Sequence, residues 1–113
     1  MREDEFQRAV LHLCKLHGLH VAHFRAAMTA KGRWVTPVGA DGKGYPDLTA
    51  VGPGGVIWRE LKTDTGRLSD EQKLWIRRLV EAGADVAVWR PAQLRDGTIA
   101  ATLARLAKPR GVA

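Results

Sequence analysis

Cysteine is nearly absent from this 113-residue chain. Cys14 stands alone, so no intramolecular disulfide can form, and the usage points to a reducing cytosol. On a helical pattern it reads as a small buried residue, not a reactive thiol. Long hydrophobic runs are missing too: nothing approaches the roughly 20 apolar residues of a membrane-spanning helix. The opening Met1-Arg2-Glu3-Asp4-Glu5 is acidic and leads into an amphipathic segment, which is not the pattern of a secretory signal. There is no repeat and no low-complexity tract. Acids are in short supply as well, 12 against 18 Lys plus Arg, which leaves a net charge of +6 and a pI near 10.1. Such a surface favours a polyanionic partner, nucleic acid first.

What is present fits one globular domain, residues 1–107, followed by a basic tail, 108–113, expected to be loose. Phe6, Val10, Leu13 and Cys14 recur at helical spacing over residues 3–17, and Gly18 supplies a stop. Leu19 to Arg25 reads as a strand. Residues 26–44 have no clear period, with a short hairpin around Gly32 or Gly39 as one option, and a connection this long is usually functional or mobile. Strands at 47–51 and 56–62 flank the turn Gly52-Pro53-Gly54-Gly55. Ser69-Asp70-Glu71-Gln72 is a capping box opening a helix that runs to about Ala82 and buries Trp75, Ile76 and Leu79. A strand at 85–90 and a helix at roughly 97–107 complete the order α-β-β-β-α-β-α. The fold class is α/β, a mixed sheet flanked by helices.

The chemistry concentrates in two motifs, Tyr45-Pro46-Asp47 and, thirteen residues beyond Asp47, Glu60-Leu61-Lys62. Side chains alternate along a strand, so Glu60 and Lys62 share a face, and the hairpin brings Asp47 beside them. Two carboxylates together make a hard oxygen site suited to Mg²⁺ or Mn²⁺. An adjacent ammonium can position a water or neutralise a phosphate. The competing reading makes Asp47 and Glu60 strand-end acids paired with Arg59 or Lys62 on a solvated face. Glu3, with Gln7 one turn on, is the helical acid best placed to reach the site; the alternative is that Glu3, Asp4 and Glu5 complement the helix N-terminus. Gln72 is either a supporting site residue or only half of the capping box. Tyr45 either stacks on a base or packs locally. Lys31, Arg33, Lys43, Arg77 and Arg78 are the expected DNA-backbone contacts, and His23 is a further phosphate candidate.

Two attractive motifs fail on context. His12, His17, His20 and His23 straddle a helix end and a strand, and no cysteine pair completes a zinc set. Gly39-Ala40-Asp41-Gly42-Lys43-Gly44 lacks the Ser or Thr of a phosphate loop and no helix follows it.

Together, Glu3-x-x-x-Gln7, Gly44-Tyr45-Pro46-Asp47-Leu48, Glu60-Leu61-Lys62, Gly66-x-Leu68-Ser69-x-x-Gln72 and the run from Ala82 to Pro91 resemble the VRR-NUC nucleases of the PD-(D/E)xK superfamily, whose small stand-alone members are typical of phages. The resemblance spans about residues 3–91. It implies a restriction-endonuclease-like core and a Mg²⁺- or Mn²⁺-dependent endodeoxyribonuclease acting on branched, flap or junction DNA. It implies metal ligation by Asp47, Glu60, the Leu61 carbonyl and Glu3, with Lys62 as catalytic lysine and Gln72 in support. A homodimer, a phage or bacterial origin and a cytoplasmic location are further expectations. The departure is the long connection at 26–44. A non-catalytic DNA-binding module and an RNA-processing nuclease are the alternatives.

Overall fold

The computed structural model describes residues 1–24, 27–28, 30–35 and 38–111. Helix α1 (Glu3–Leu16) buries Phe6, Val10 and Cys14, one side of a 3.6-residue period, while Leu13 is only half-buried at its edge. It stops at Gly18, whose φ of +71° is the left-handed cap conformation. The Gly18 and Leu19 amides fold back to Lys15 and Cys14.

Four strands make the main sheet, in the order β1 (His20–His23), β4 (Leu48–Gly52), β5 (Gly55–Leu61), β6 (Asp85–Trp89). The first three are antiparallel neighbours; β5 and β6 are parallel, joined by the crossover helix α2 (Asp70–Glu81). Separately, β2 (Ala27–Met28) and β3 (Trp34–Val35) form a two-stranded hairpin, which selects Gly32, at φ +79°, over Gly39 as its turn. The predicted end of the first strand at Arg25 and part of the 26–44 connection lie outside the described residues. Beyond β6 come α3 (Pro91–Arg95) and α4 (Thr98–Leu106).

Register and alternation divide the sheet into two unlike faces. Leu48, Ala50, Ile57, Leu61 and Trp89 turn to α1 and α4 and meet Phe6, Val10, Cys14, Ile99, Leu103 and Leu106 in the core. Full burial of such side chains stabilises by about 1.5–3 kcal/mol each, so this face holds the molecule together. The other face lies under α2, which buries no residue completely. Trp75, Ile76 and Leu79 are half-buried, not core as expected: α2 alone covers this face, where Trp58, Val86 and Val88 share the sheet with Thr49 and Glu60.

Arg59 sits on the core face and is 4% exposed. Its guanidinium donates to the Trp58 carbonyl, to the Asp85 carbonyl at 2.7 Å and to Asp85 Oδ1 at 2.9 Å, over the Trp89 ring. Arg105 holds the other Asp85 oxygen at 3.0 Å. Arg59 is thus spoken for by Asp85, which removes the reading that it pairs with Asp47 or Glu60.

Two further differences concern the C-terminal part. Helix α3 was not expected: Pro91 begins it, Gln93 accepts from the Arg90 amide, and Asp64 accepts from the Ala92 amide. Nor is the tail loose as far as residue 110. The Gly54 amide donates to the Leu106 carbonyl at 2.8 Å, and Arg110 Nε donates to the Gly54 carbonyl. Among the described residues, no helix is long and apolar enough to cross a membrane.

Candidate active site

The lead-in to β4 is fixed from both sides. Gly44, at φ +87°, presses against the start of α2; a Cβ there would lie 2.5 Å from the Glu71 carbonyl carbon and 2.7 Å from the Gln72 nitrogen. Only glycine lets the chain pass so close. Pro46 is buried. Tyr45 stands between Phe24 and Trp75 in edge-on contacts at 5.0–5.5 Å between centroids, and its hydroxyl accepts from the Trp58 indole at 3.0 Å. Of the two readings of Tyr45, local packing is the one these contacts display.

Asp47 is then held at its main chain by the Phe24 amide, 2.8 Å from its carbonyl, and at its side chain by the Leu61 amide, 2.9 Å from Oδ2. Leu48 pairs with Arg59 across the ladder, so Asp47 and Glu60 fall on the same face of the sheet. Glu60 is 1% exposed. Its Oε1 accepts from Gln72 Nε2 at 3.3 Å, while Oε2 is buried with no hydrogen-bond partner.

Burial pushes the Glu60 carboxyl up to about 9, helped by a hydrogen bond from its protonated form to Asp47 and by the Asp47 charge. The Lys62 ammonium opposes this rise and Glu3 adds to it. The causes map the site: Asp47 in contact, Lys62 and Glu3 near enough for their charges to be felt. Lys62 makes no ion pair among the described residues; its amide anchors the strand end to the Trp89 carbonyl at 3.0 Å.

Glu3 stands out among the three acids at the start of α1. Arg2 bridges to Asp4 at 3.3 Å and to Glu5 at 2.8 Å, and Arg8 to Asp4 at 3.4 Å. Glu3 enters no such pair among the described residues. It remains exposed at the helix N-terminus, and among the described residues no three His, Cys, Asp or Glu side chains converge as one ligand set. The centre is a carboxylate pair with Glu3 in its outer field.

Gln72 serves both of the roles proposed for it. Its Oε1 accepts from the Ser69 amide at 2.9 Å and its own amide donates to Ser69 Oγ at 3.1 Å, completing the capping box. Its Nε2 meanwhile reaches Glu60. The residue that starts α2 thereby also joins the helix to the site.

Whether this centre suits a divalent cation can be judged from its donors. Both acids offer hard oxygens, one of which is buried and unsatisfied, and a cation would offset the repulsion between the two carboxyl groups that raises Glu60. The residues fit.

Residues 30–93 match the family model of the VRR-NUC domain, more than half of the chain. The chain belongs to the VRR-NUC family. A solved structure titled "VRR_NUC domain protein" is similar over 99% of this chain and 95% of that one, with a TM-score of 0.61 at 23% identity, a likeness of fold. No curated protein matches the chain.

The expected DNA contacts of this VRR-NUC domain are spread over two places. Lys31 and Arg33 are exposed beside the turn of the β2–β3 hairpin. Lys43 pairs with Glu71 at 3.1 Å and Arg77 lies 3.9 Å from Glu81. Arg78 lines a groove between α2 and the loop before Asp47, and carries no ion pair among the described residues. His23 sits beside Gln7, Asp4 and Arg8 in a smaller pocket. The sequence reading missed Phe24, whose amide positions Asp47, and Trp75 as a groove wall. A lone Phe at a strand end carries no signal of that kind.

Proposed function

We propose that this VRR-NUC domain is a Mg²⁺- or Mn²⁺-dependent DNA endonuclease selective for branched, flap or junction DNA. The observation that carries the reading is the buried Glu60 carboxyl, bonded to Gln72 and on the same face as Asp47, with its second oxygen unsatisfied and the Lys62 charge near enough to act on it. An acid shut away from water beside another acid is costly to a fold, and such groups concentrate at functional sites.

Asp47 and Glu60 would hold the cation, with the Leu61 carbonyl as a third oxygen and Glu3 contributing from the outer field. Bound there, the cation would polarise the scissile phosphate and make a water acidic enough to attack. The Leu61 amide keeps one Asp47 oxygen in place, and Gln72 does the same for Glu60, so neither carboxylate needs to reorganise. The Lys62 ammonium would donate to the attacking water or to the phosphate oxygens as negative charge builds. In-line attack would leave a 5′-phosphate and a 3′-hydroxyl. A two-fold dimer suits symmetric cuts in a branched substrate, and light scattering reads its mass directly.

The test is incubation of labelled duplex, flap and four-way-junction DNA, and of matched RNA, with Mg²⁺ or Mn²⁺. The expected result is cleavage of branched DNA ahead of linear duplex and of RNA. Asp47→Ala cutting as fast as the parent overturns the assignment. Metal-dependent binding with no cleavage of any substrate would identify a non-catalytic binding module instead.

A further inference from the structure

The groove between α2 and the loop before Asp47 has a composition of its own. It encloses about 680 Å³ and is walled by Leu74 and Trp75, with Arg78, Lys43, Glu71 and Asp41 around them. Leu74 is 42% exposed, unusual for a leucine on a helix that faces a sheet. Trp75 is held in place by its indole N–H, which donates to the Asp41 carbonyl at 3.0 Å, and by its edge-on contact with Tyr45. Lys43 and Glu71 neutralise each other. That leaves a rigid aromatic and an aliphatic wall, Arg78 with no ion pair among the described residues, and an exposed acceptor in Asp41.

We propose that this groove receives a single unpaired nucleobase of the strand being cut, packed against the adjoining surfaces of Leu74 and Trp75, with Arg78 on a neighbouring phosphate. Every base has an apolar face that stacks on an aromatic ring without regard to sequence. The alternation of cation and apolar wall complements the alternation of phosphate and base, and the Asp41 carboxylate suits a base edge, not a phosphate.

Position supports the same occupant. Gln72, which touches Glu60, and Trp75 lie three residues apart on α2, about 4.5 Å along the axis. Tyr45, against Trp75, is two residues from Asp47. Successive nucleotides of a stacked strand are about 3.4 Å apart, so the groove would serve a base one or two nucleotides from the scissile phosphate. This deepens the nuclease reading and rests on it, giving selectivity for branched DNA a physical source: only an unpaired base can enter.

A binding experiment separates this inference from the cleavage reading. Flap DNA carrying 2-aminopurine at successive positions across the junction is titrated with the parent chain in EDTA. Quenching is expected at one position next to the branch. Leu74→Asp, at an exposed site that folding tolerates, should weaken binding about 5-fold or more, because a charged side chain replaces the apolar wall against which the base rests. It should have no such effect on the same DNA made abasic at that position. A flat fluorescence profile, or an equal loss on both DNAs, overturns the inference even if the chain cuts DNA. Self-association that Leu74→Asp abolishes, with no position-specific quenching, also overturns it and assigns the groove to a second copy. If quenching appears but no DNA is cut, the nuclease reading fails and the groove assignment stands.

Discussion

A carboxyl group pushed up to about 9 by burial, with Asp47 against it, ties the stability of the metal-free protein to pH. The folded-state value lies above that of an unfolded carboxyl, so the proton stabilises the native state. That contribution is complete below the unfolded value of about 4.5 and is lost progressively as pH rises towards about 9. In EDTA, Tm should therefore fall between pH 5 and pH 9, and Mg²⁺ or Mn²⁺ should restore it at the alkaline end by replacing the proton. Glu60→Gln keeps the shape and the Gln72 contact but cannot ionise. It should flatten the fall, raise metal-free stability at pH 8 by about 0.5–2 kcal/mol, and abolish metal-dependent cleavage. Scanning calorimetry across this range decides: equal slopes in parent and variant would remove the buried acid from the account. For Lys62→Met the expectation is different, with kcat lower by about 10²–10³-fold and Tm in EDTA little changed. At this scale much was legible in advance. Asp47, Glu60 and Lys62 were picked out because strand alternation and the length of a hairpin alone bring them to one face. The Phe24 amide was invisible, since a backbone donor has no residue-type signature.

The elements that carry these residues are coupled through α2. Its first turn is closed by Ser69 and Gln72, its start rests against Gly44, and Gln72 continues into the site. Replacing Gly44 by alanine adds a Cβ 2.5 Å from the helix backbone at a φ of +87°, so the loop or the helix must give way. The expected cost is about 2 kcal/mol or more. Cleavage should fall further than the loss of folded protein explains, because Gln72 moves off Glu60. Denaturant titration alongside kcat at a temperature where the variant is fully folded tests this. Parent-like turnover per folded molecule would separate α2 from the site. Element boundaries were legible wherever a local signal existed: the capping box fixed α2, and the glycine-rich turn fixed the hairpin of β4 and β5. Helix α3 was missed because it is only five residues long, too short for a period to show, although Pro91 and Gln93 mark its start locally. The half-burial of Trp75 and Leu79 was missed because amphipathic spacing reports an apolar stripe, not what lies opposite it.

On the scale of the whole molecule, an excess of six positive charges says that a polyanion will bind but not along which face. That placement depends on pairing, which only the fold decides. Lys43 faces Glu71 at 3.1 Å, whereas Arg78 has no acidic partner among the described residues and lines the groove between α2 and the loop before Asp47. Each phosphate contact releases counterions, so removing one should reduce the slope of log K against log salt by about 0.7–0.9. Arg78→Ala is expected to reduce it by about that amount on flap DNA. Lys43→Ala should change it less, because its charge already has a match and its loss frees Glu71 to repel the strand uniformly. Fluorescence anisotropy at a series of KCl concentrations gives both slopes. Indistinguishable slopes for the two variants would mean that DNA follows the net charge of the molecule. A reduction confined to Arg78 would mean that the strand runs along α2, past Gln72, to the buried pair of acids.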